Sequence, residues 1–360
     1  MNRLSRLAAL ALALLAIPAF ARVSDMNTES FDSVPGLTVS LGSEQAFASA
    51  SDDVRVQVTI ANFGDEPLAV PEWFLPGGEL DDPLFVIEVD GREVDYLGPI
   101  VKRGAPGADD FIWLKPGQSR TMAFELSGTY DLSAGGVYSI RYAAKSTHIV
   151  TPAFGRAVAL SSNPVSITIE ARRFSNVRVE VGQKSAGGGG ITYTGRCTSA
   201  QQSTLLDAVG AATTMSGGAM SYLNATTPSG TSRYTTWFGT YSSTGWNTAK
   251  SHFAAISDAF NTKPLTLDCG CKKSYYAYVY ANKPYVIYVC KAFWAAPLTG
   301  TDSKGGTLIH EMSHFNVVAS TDDWAYGQAA AKSLAISDPA KALDNADSHE
   351  YFAENTPTLP

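Results

Sequence analysis

The sequence predicts two domains of different class. Residues 22–185 read as an N-terminal all-β sandwich of immunoglobulin-like type, and residues 192–360 as a mainly helical α+β domain with one β-hairpin. Three observations carry this reading. Short runs alternate apolar and polar residues through the first part; a four-glycine stretch at 187–190 interrupts the chain; beyond it apolar residues recur at helical spacing.

The first 21 residues are set apart from the fold. Arg3 and Arg6 precede an apolar run at 7–17 that is too short to span a bilayer, and "AFAR" offers a cleavage site after Ala21. This is the pattern of a secretory signal peptide. The chain is therefore expected to be secreted and extracellular, with no membrane association once the signal is cleaved. The formal net charge of −7 and the absence of any Lys/Arg run argue against a nucleic-acid partner.

The strands come next. "LTVSLG", "VRVQVTIANFG", "LFVIEVDG", "TMAFELSG", "VYSIRYAA" and "VSITIEA" each place one face inward and one outward, separated by Gly, Pro and Asp clusters. No catalytic constellation is visible among them. The region has no cysteine, and its single histidine, His148, reads as a strand or surface residue. The segment 186–191 then reads as an exposed, flexible linker, the kind of place where proteolytic nicking concentrates.

In the second domain, "TSAQQSTLLDAVGAATTMSGGAMSYL" predicts a helix capped by Thr198 or Ser199, with Leu205, Leu206 and Val209 at helical spacing. "STGWNTAKSHFAAISDAF" predicts a second helix, and "YYAYVYANKPYVIYVC" a hairpin. "GGTLIHEMSHFNVVA", "YGQAAAKSLAI" and "DSHEYFAENT" predict three more helices. All four cysteines, Cys197, Cys269, Cys271 and Cys290, lie here. In an exported chain they read as two disulfides, since "CGC" is a poor match to a four-thiolate zinc site. Cys269 and Cys271 are too close to pair with each other, so each needs a distant partner.

The chemistry is concentrated in "GTLIHEMSHFNVVASTDDWAYG". On a helix, His310 and His314 share one face and can reach one metal ion, while Glu311 lies to the side and can approach an open coordination position. The bland alternative is a solvated helix with two surface histidines. Leu308, Ile309, Met312, Phe315, Val317 and Val318 argue against it, because a buried helix would leave these polar groups without partners unless a metal is present. A catalytic zinc needs a third protein ligand. The candidates are Asp322, Asp323, His349 and Glu350, and spacing alone does not choose among them.

The stretch "STDDWAYG" resembles the Gly-Thr-x-Asp-x-x-Tyr-Gly motif that follows HExxH in the aspzincins, the deuterolysin and peptidyl-Lys metalloendopeptidase family. Thr321, Asp323, Tyr326 and Gly327 match; Ser320 stands where the pattern has glycine. The resemblance extends from about residue 192 to the C-terminus through "RYTTWFG", "GTDSKGGTLIHEMSH", "YGQAAAKSLA" and "NADSHEYFAEN", and does not inform residues 22–185. It implies a zincin-like metalloprotease domain with one Zn2+ per chain, held by His310, His314 and Asp323. Glu311 is then the general base and Tyr326 an oxyanion donor. Asp322 is left as a variable, solvent-facing position.

The resemblance also implies the disulfides Cys197–Cys269 and Cys271–Cys290. It turns Asp347 and Glu350, which by themselves read as a capping-box analogue, into a pocket for the lysine that follows the scissile bond. His349 and His252 read as packing or solvated residues. The expected substrates are proteins or peptides containing lysine. The β domain at 22–185 is expected to be a propeptide that covers the cleft as the protein's own inhibitor, and Lys184 offers a lysine-specific enzyme a place to cut. The rival readings are a deuterolysin-like protease of broader specificity and a non-catalytic secreted adhesin with a metal-stabilised domain.

Overall fold

A computed structural model describes residues 35–76, 79–146, 158–173 and 190–360. The signal segment at 1–21, His148, Lys184 and the glycine run as far as residue 189 lie outside the described residues. Among the described residues no helix is long and apolar enough to cross a membrane.

The first half is β-rich. Its strands are β1 (Leu37–Gly42), β2 (Phe47–Ala48), β3 (Arg55–Asn62), β4 (Leu68–Pro71), β5 (Phe85–Val89), β6 (Arg92–Glu93), β7 (Ile100–Lys102), β8 (Phe111–Leu114), β9 (Ser119–Glu125), β10 (Gly136–Ser146), β11 (Val158–Ser161) and β12 (Val165–Ile169). Each of the six alternating runs read from the sequence holds one of these strands. The six others are two to four residues long, too short for alternation to register. One sheet has the order β1-β3-β9. A second has the order β2-β12-β10-β5-β6, with β11 also on β10, and β4 pairs with β8. Alternation decides which side chains go inward. In β3, Val56, Val58 and Ile60 enter a core shared with Phe85, Ile87, Phe124, Tyr138, Ile140 and Ile167. Each such aliphatic side chain contributes about 1.5–3 kcal/mol on burial.

The second half carries β13 (Ile191–Thr194), α1 (Ser199–Ala225), α2 (Ser232–Phe238), α3 (Ser243–Thr262), β14 (Leu265–Asp268), β15 (Ala277–Val279), β16 (Val286–Val289), α4 (Lys291–Ala295), α5 (Lys304–His314), α6 (Gln328–Ser337), α7 (Pro339–Leu343) and α8 (Ala346–Glu354). The predicted hairpin is β15–β16. It is not alone. β13, β14 and β16 pair in parallel, and β15 lies antiparallel on the other side of β16. β13 and β14 were missed as strands because each is four residues long and β13 directly follows the glycine run. The outermost strand of this sheet is β7, antiparallel to β15, contributed by the first half of the chain. The disulfides join Cys197 to Cys269 and Cys271 to Cys290. The first closes a separation of 72 residues, worth roughly 4 kcal/mol in the chain-entropy model.

Thr198 caps α1, its side chain accepting from Gln201 N while Gln201 returns the bond to the cap. The helix buries Leu205, Ala208, Val209, Ala212, Ala219 and Leu223, whereas Leu206 points outward. Its small residues allow α5 close: a Cβ at Gly305 would collide with Met215 and Ala211. α5 is buried along its whole length. Its cap, Ser303, bonds through both N and Oγ to Glu354 Oε1 of α8, at 2.8 and 2.7 Å, so the start of α5 is tied to the end of α8. These two helices hold the site.

Candidate active site

α5 ends at His314, not near Val318 as its apolar pattern suggests. The reason is tertiary. Asn316 N donates to Ala281 O in the β15–β16 turn, 3.1 Å away, so it is not available to continue the helix. The chain then reverses, with Ser320 at a φ of +54°. That left-handed conformation suits glycine better than serine, which explains the glycine of the motif at this position. Val317, expected to be buried, lies on this excursion and is 63% exposed. The reversal returns Thr321 to the last turn of α5, where its Oγ1 lies 2.6 Å from Ser313 Oγ and its carbonyl oxygen 2.6 Å from His314 Nδ1.

This fold-back brings Asp323 to the two histidines. His310 Nε2 and His314 Nε2 are 3.1 Å apart. Asp323 Oδ1 lies 3.2 Å from the first and 3.5 Å from the second. Each ring is turned by what its other nitrogen faces: Thr321 O for His314 Nδ1, and Asp347 Oδ1, 2.8 Å away, for His310 Nδ1. Thr321 O favours a proton on His314 Nδ1, and the negative charge of Asp347, close by but without hydrogen-bond geometry, favours the same tautomer of His310, so that two Nε2 lone pairs converge with a carboxylate oxygen. Asp323 Oδ1 has no hydrogen-bond donor. Three buried donor atoms of like polarity aimed at one point repel one another unless a cation lies between them. Two imidazoles and a carboxylate form the donor set that suits zinc with one position open. The residues present therefore fit the metal.

Glu311 is fully buried, and neither of its carboxylate oxygens has a hydrogen-bond partner. Burial pushes its pKa up to about 8. A carboxyl so placed exchanges protons near neutrality. Tyr326 packs edge-on against Trp73, and its hydroxyl lies 3.1 Å from Asp323 Oδ2 and 3.0 Å from Val101 O. Asp322, half-buried, uses its backbone to pair with the segment ahead of α8.

Asp347 and Glu350 share a face of α8, as their spacing predicts, and both are fully buried. Neither caps the helix. Asn345 is the N-cap, and its Oδ1 accepts from Trp324 N and Ala325 N. Asp347 Oδ2 accepts from Gly327 N at 2.7 Å, and Gly327 has the positive φ, +86°, that permits this turn. A Cβ at Gly306 would collide with Glu354 and Glu350, so α5 meets α8 at the acids themselves. Burial pushes Glu354 up to about 8.

The two acids are occupied. Lys102 of β7 places its Nζ 3.1 Å from Asp347 Oδ1 and in contact with Glu350 Oε2, with none of the three side chains exposed. Burial disfavours the ammonium, but Asp347 and Glu350 outweigh it and hold Lys102 well above the usual lysine range. Burial likewise opposes an ionised Asp347, yet Lys102 and His310 hold its carboxyl below the usual range. Sequence reading assigned no site residue to the first half, so Lys102 was missed. The available signal was faint: a short apolar run, Pro99, Ile100 and Val101, leading into Lys102 and Arg103.

His349 takes no part in this cluster. It packs against Phe238 and Phe253, its Nδ1 lies 3.0 Å from Asn345 O, and its Nε2 lies 2.9 Å from His252 Nδ1. Burial, reinforced by His252, pushes its pKa down to about 3. The unfolded histidine, near 6.5, binds its proton first on acidification. Stability is thus fully present above about pH 6.5 and falls as pH drops toward 3, by up to about 1.4 kcal/mol per pH unit from this residue. Unfolding midpoints between pH 7.5 and 5 are expected to fall less steeply in His349→Gln than in the parent; equal slopes would reject the assignment.

The family described as lysine-specific metallo-endopeptidase, aspzincin, matches residues 222–354. An extracellular protease of Aeromonas hydrophila is 49% identical over 313 residues, covering 86% of this chain and 90% of that protein. A peptidyl-Lys metalloendopeptidase of Armillaria mellea is 35% identical over 345 residues, covering 92% and 95%. Another peptidyl-Lys metalloendopeptidase, from Pleurotus ostreatus, is 53% identical over 170 residues, which are 47% of this chain and 99% of that protein.

Proposed function

The chain belongs to the aspzincin family and is a zinc metalloendopeptidase, and from that premise we propose that it is secreted as a zymogen and cuts on the amino side of lysine. One observation carries the lysine preference: an ammonium already sits between Asp347 and Glu350, fully desolvated. A charge-assisted hydrogen bond in such a place contributes roughly 1.5–3 kcal/mol. The names of the Armillaria and Pleurotus relatives agree with this preference.

His310, His314 and Asp323 would hold the zinc. The metal, when bound, supplies Lewis-acid chemistry, polarising a carbonyl and making water more acidic. Glu311 takes the water proton and passes it to the leaving amine, a role that its buried carboxylate, with neither oxygen engaged by another residue, supports. Tyr326 donates to the oxygen on which negative charge develops. Tyr326→Phe is expected to retain zinc and to lose about 10²–10³ in kcat; near-parental turnover would remove the tyrosine from the mechanism.

Residues 1–21 act as the export signal, 22–185 as the propeptide with an immunoglobulin-like sandwich, 186–191 as the linker, and 192–360 as the protease. The Pleurotus relative, covered over 99% of its length by 47% of this chain, supports the reading that about half of the chain is the protease. The test of the function is digestion of one defined protein by the purified enzyme, with and without a chelator, followed by sequencing of the new termini. New N-termini should be lysines and should vanish with the chelator. Termini spread over many residue types would replace the lysine reading with a broader specificity.

A further inference from the structure

β15 would be the open edge of the protease sheet if β7 were removed, since the order ends β16-β15-β7. An open edge beside a site is where an extended peptide adds as a strand. β7 already does so. Lys102 is opposite Ala277 and Val101 opposite Tyr278, and Tyr276 N donates to Lys102 O at 3.1 Å. The side chain of Lys102 fills the acid pocket. The carbonyl immediately before it, that of Val101, faces Tyr326 Oη at 3.0 Å. Main chain, side chain and carbonyl thus satisfy together the register of a substrate to be cut between Val101 and Lys102.

The strand is also held from its own side. Arg103 pairs with Asp81 at 3.0 Å and Asp82 at 2.9 Å, and its guanidinium stacks on Trp73, 5.1 Å from the ring centre. Arg103 Nη1 also approaches Val101 O at 3.4 Å. The bond is therefore braced on both flanks.

We propose that residues 100–103 are a substrate-like plug and that Val101–Lys102, not the linker bond before Lys184, is the first bond the zinc-loaded protein hydrolyses. The inference rests on the lysine-directed reading of the Asp347–Glu350 pocket. In the step, the bond from Val101 C to Lys102 N breaks and a bond from Val101 C to a water oxygen forms. Glu311 carries one water proton to Lys102 N and the second follows it, leaving a carboxylate on Val101 and an ammonium on the new Lys102 terminus. Until that bond is cut, the chain is latent, because its own lysine occupies the pocket.

Two measurements test this on the full chain. In the zinc-free protein, Lys102 is expected to react with an amine-acylating reagent at least about tenfold more slowly than exposed Lys115; equal rates would mean that the plug is not seated and would overturn the proposal. On adding zinc, intact-mass analysis and terminal sequencing should show a first fragment beginning at Lys102, formed at a rate independent of protein concentration. A first terminus elsewhere, with Val101–Lys102 intact, would overturn it too. Parallel digestion of an unrelated protein separates the two failures. Lysine termini there with no cut at Lys102 sink the plug alone, whereas mixed termini sink the lysine pocket on which it rests.

Discussion

Replacing Glu311 by alanine is expected to leave zinc content unchanged while lowering kcat by about 10²–10⁴-fold, the usual worth of a positioned acid–base group. The expectation follows from its position. Glu311 is one residue along α5 from His310, so it is carried beside the metal face without belonging to it. Its two oxygens are buried and find no donor in the protein, which leaves them available to water at the open position. Loss of metal along with activity would instead make Glu311 part of the metal-binding set. The same variant reads the zymogen proposal. Expressed in a protease-free host, it should accumulate as the unprocessed chain, and normal maturation would rule out self-processing.

The second large effect is expected from removing both charges of the pocket, Asp347→Asn with Glu350→Gln. Each lost charge-assisted hydrogen bond to the substrate ammonium is worth about 1.5–3 kcal/mol. With tenfold for every 1.4 kcal/mol, kcat/KM for lysine peptides should fall at least 10²-fold by this approximate reckoning. Peptides with an uncharged side chain of similar length after the scissile bond should lose far less, so the ratio between the two classes is the diagnostic. The unprocessed chain should suffer as well. Lys102 would be left as a buried ammonium without counter-charge, a change that destabilises by roughly 3–5 kcal/mol in other buried pairs. A double variant that still prefers lysine would place the specificity pocket elsewhere.

The legible parts of this protein are those in which a few neighbouring residues answer to one local rule. His310 and His314 share a helical face whatever surrounds them. Alternation in 55–62 places Val56, Val58 and Ile60 on one side of a strand and therefore in a core. Thr198 caps the helix that follows it, since a threonine ahead of a glutamine at this spacing satisfies two orphan amides. Other features escaped for equally physical reasons. β7, β13 and β14 are three or four residues long, and their partners are distant in sequence. The early end of α5 depends on a hydrogen bond to Ala281, and nothing in "FNVVAS" announces it. Asp347 and Glu350 carried two local readings, cap or pocket, and only the neighbours of α8 separate them.

By itself, then, the sequence determined that a helix presents two histidines and a glutamate in a metal-binding arrangement, that acids stand eight and more residues further on, and that a β-rich half precedes a helical one. Those are consequences of backbone periodicity, which each segment carries with it. The tertiary structure decided which acid joins the histidines and which acids face an ammonium, and that the ammonium comes from Lys102. Each of those choices depends on where the chain reverses and which sheet edge remains open. Contacts between residues as far apart as 102 and 350 are set by packing of whole elements, to which no local pattern is bound.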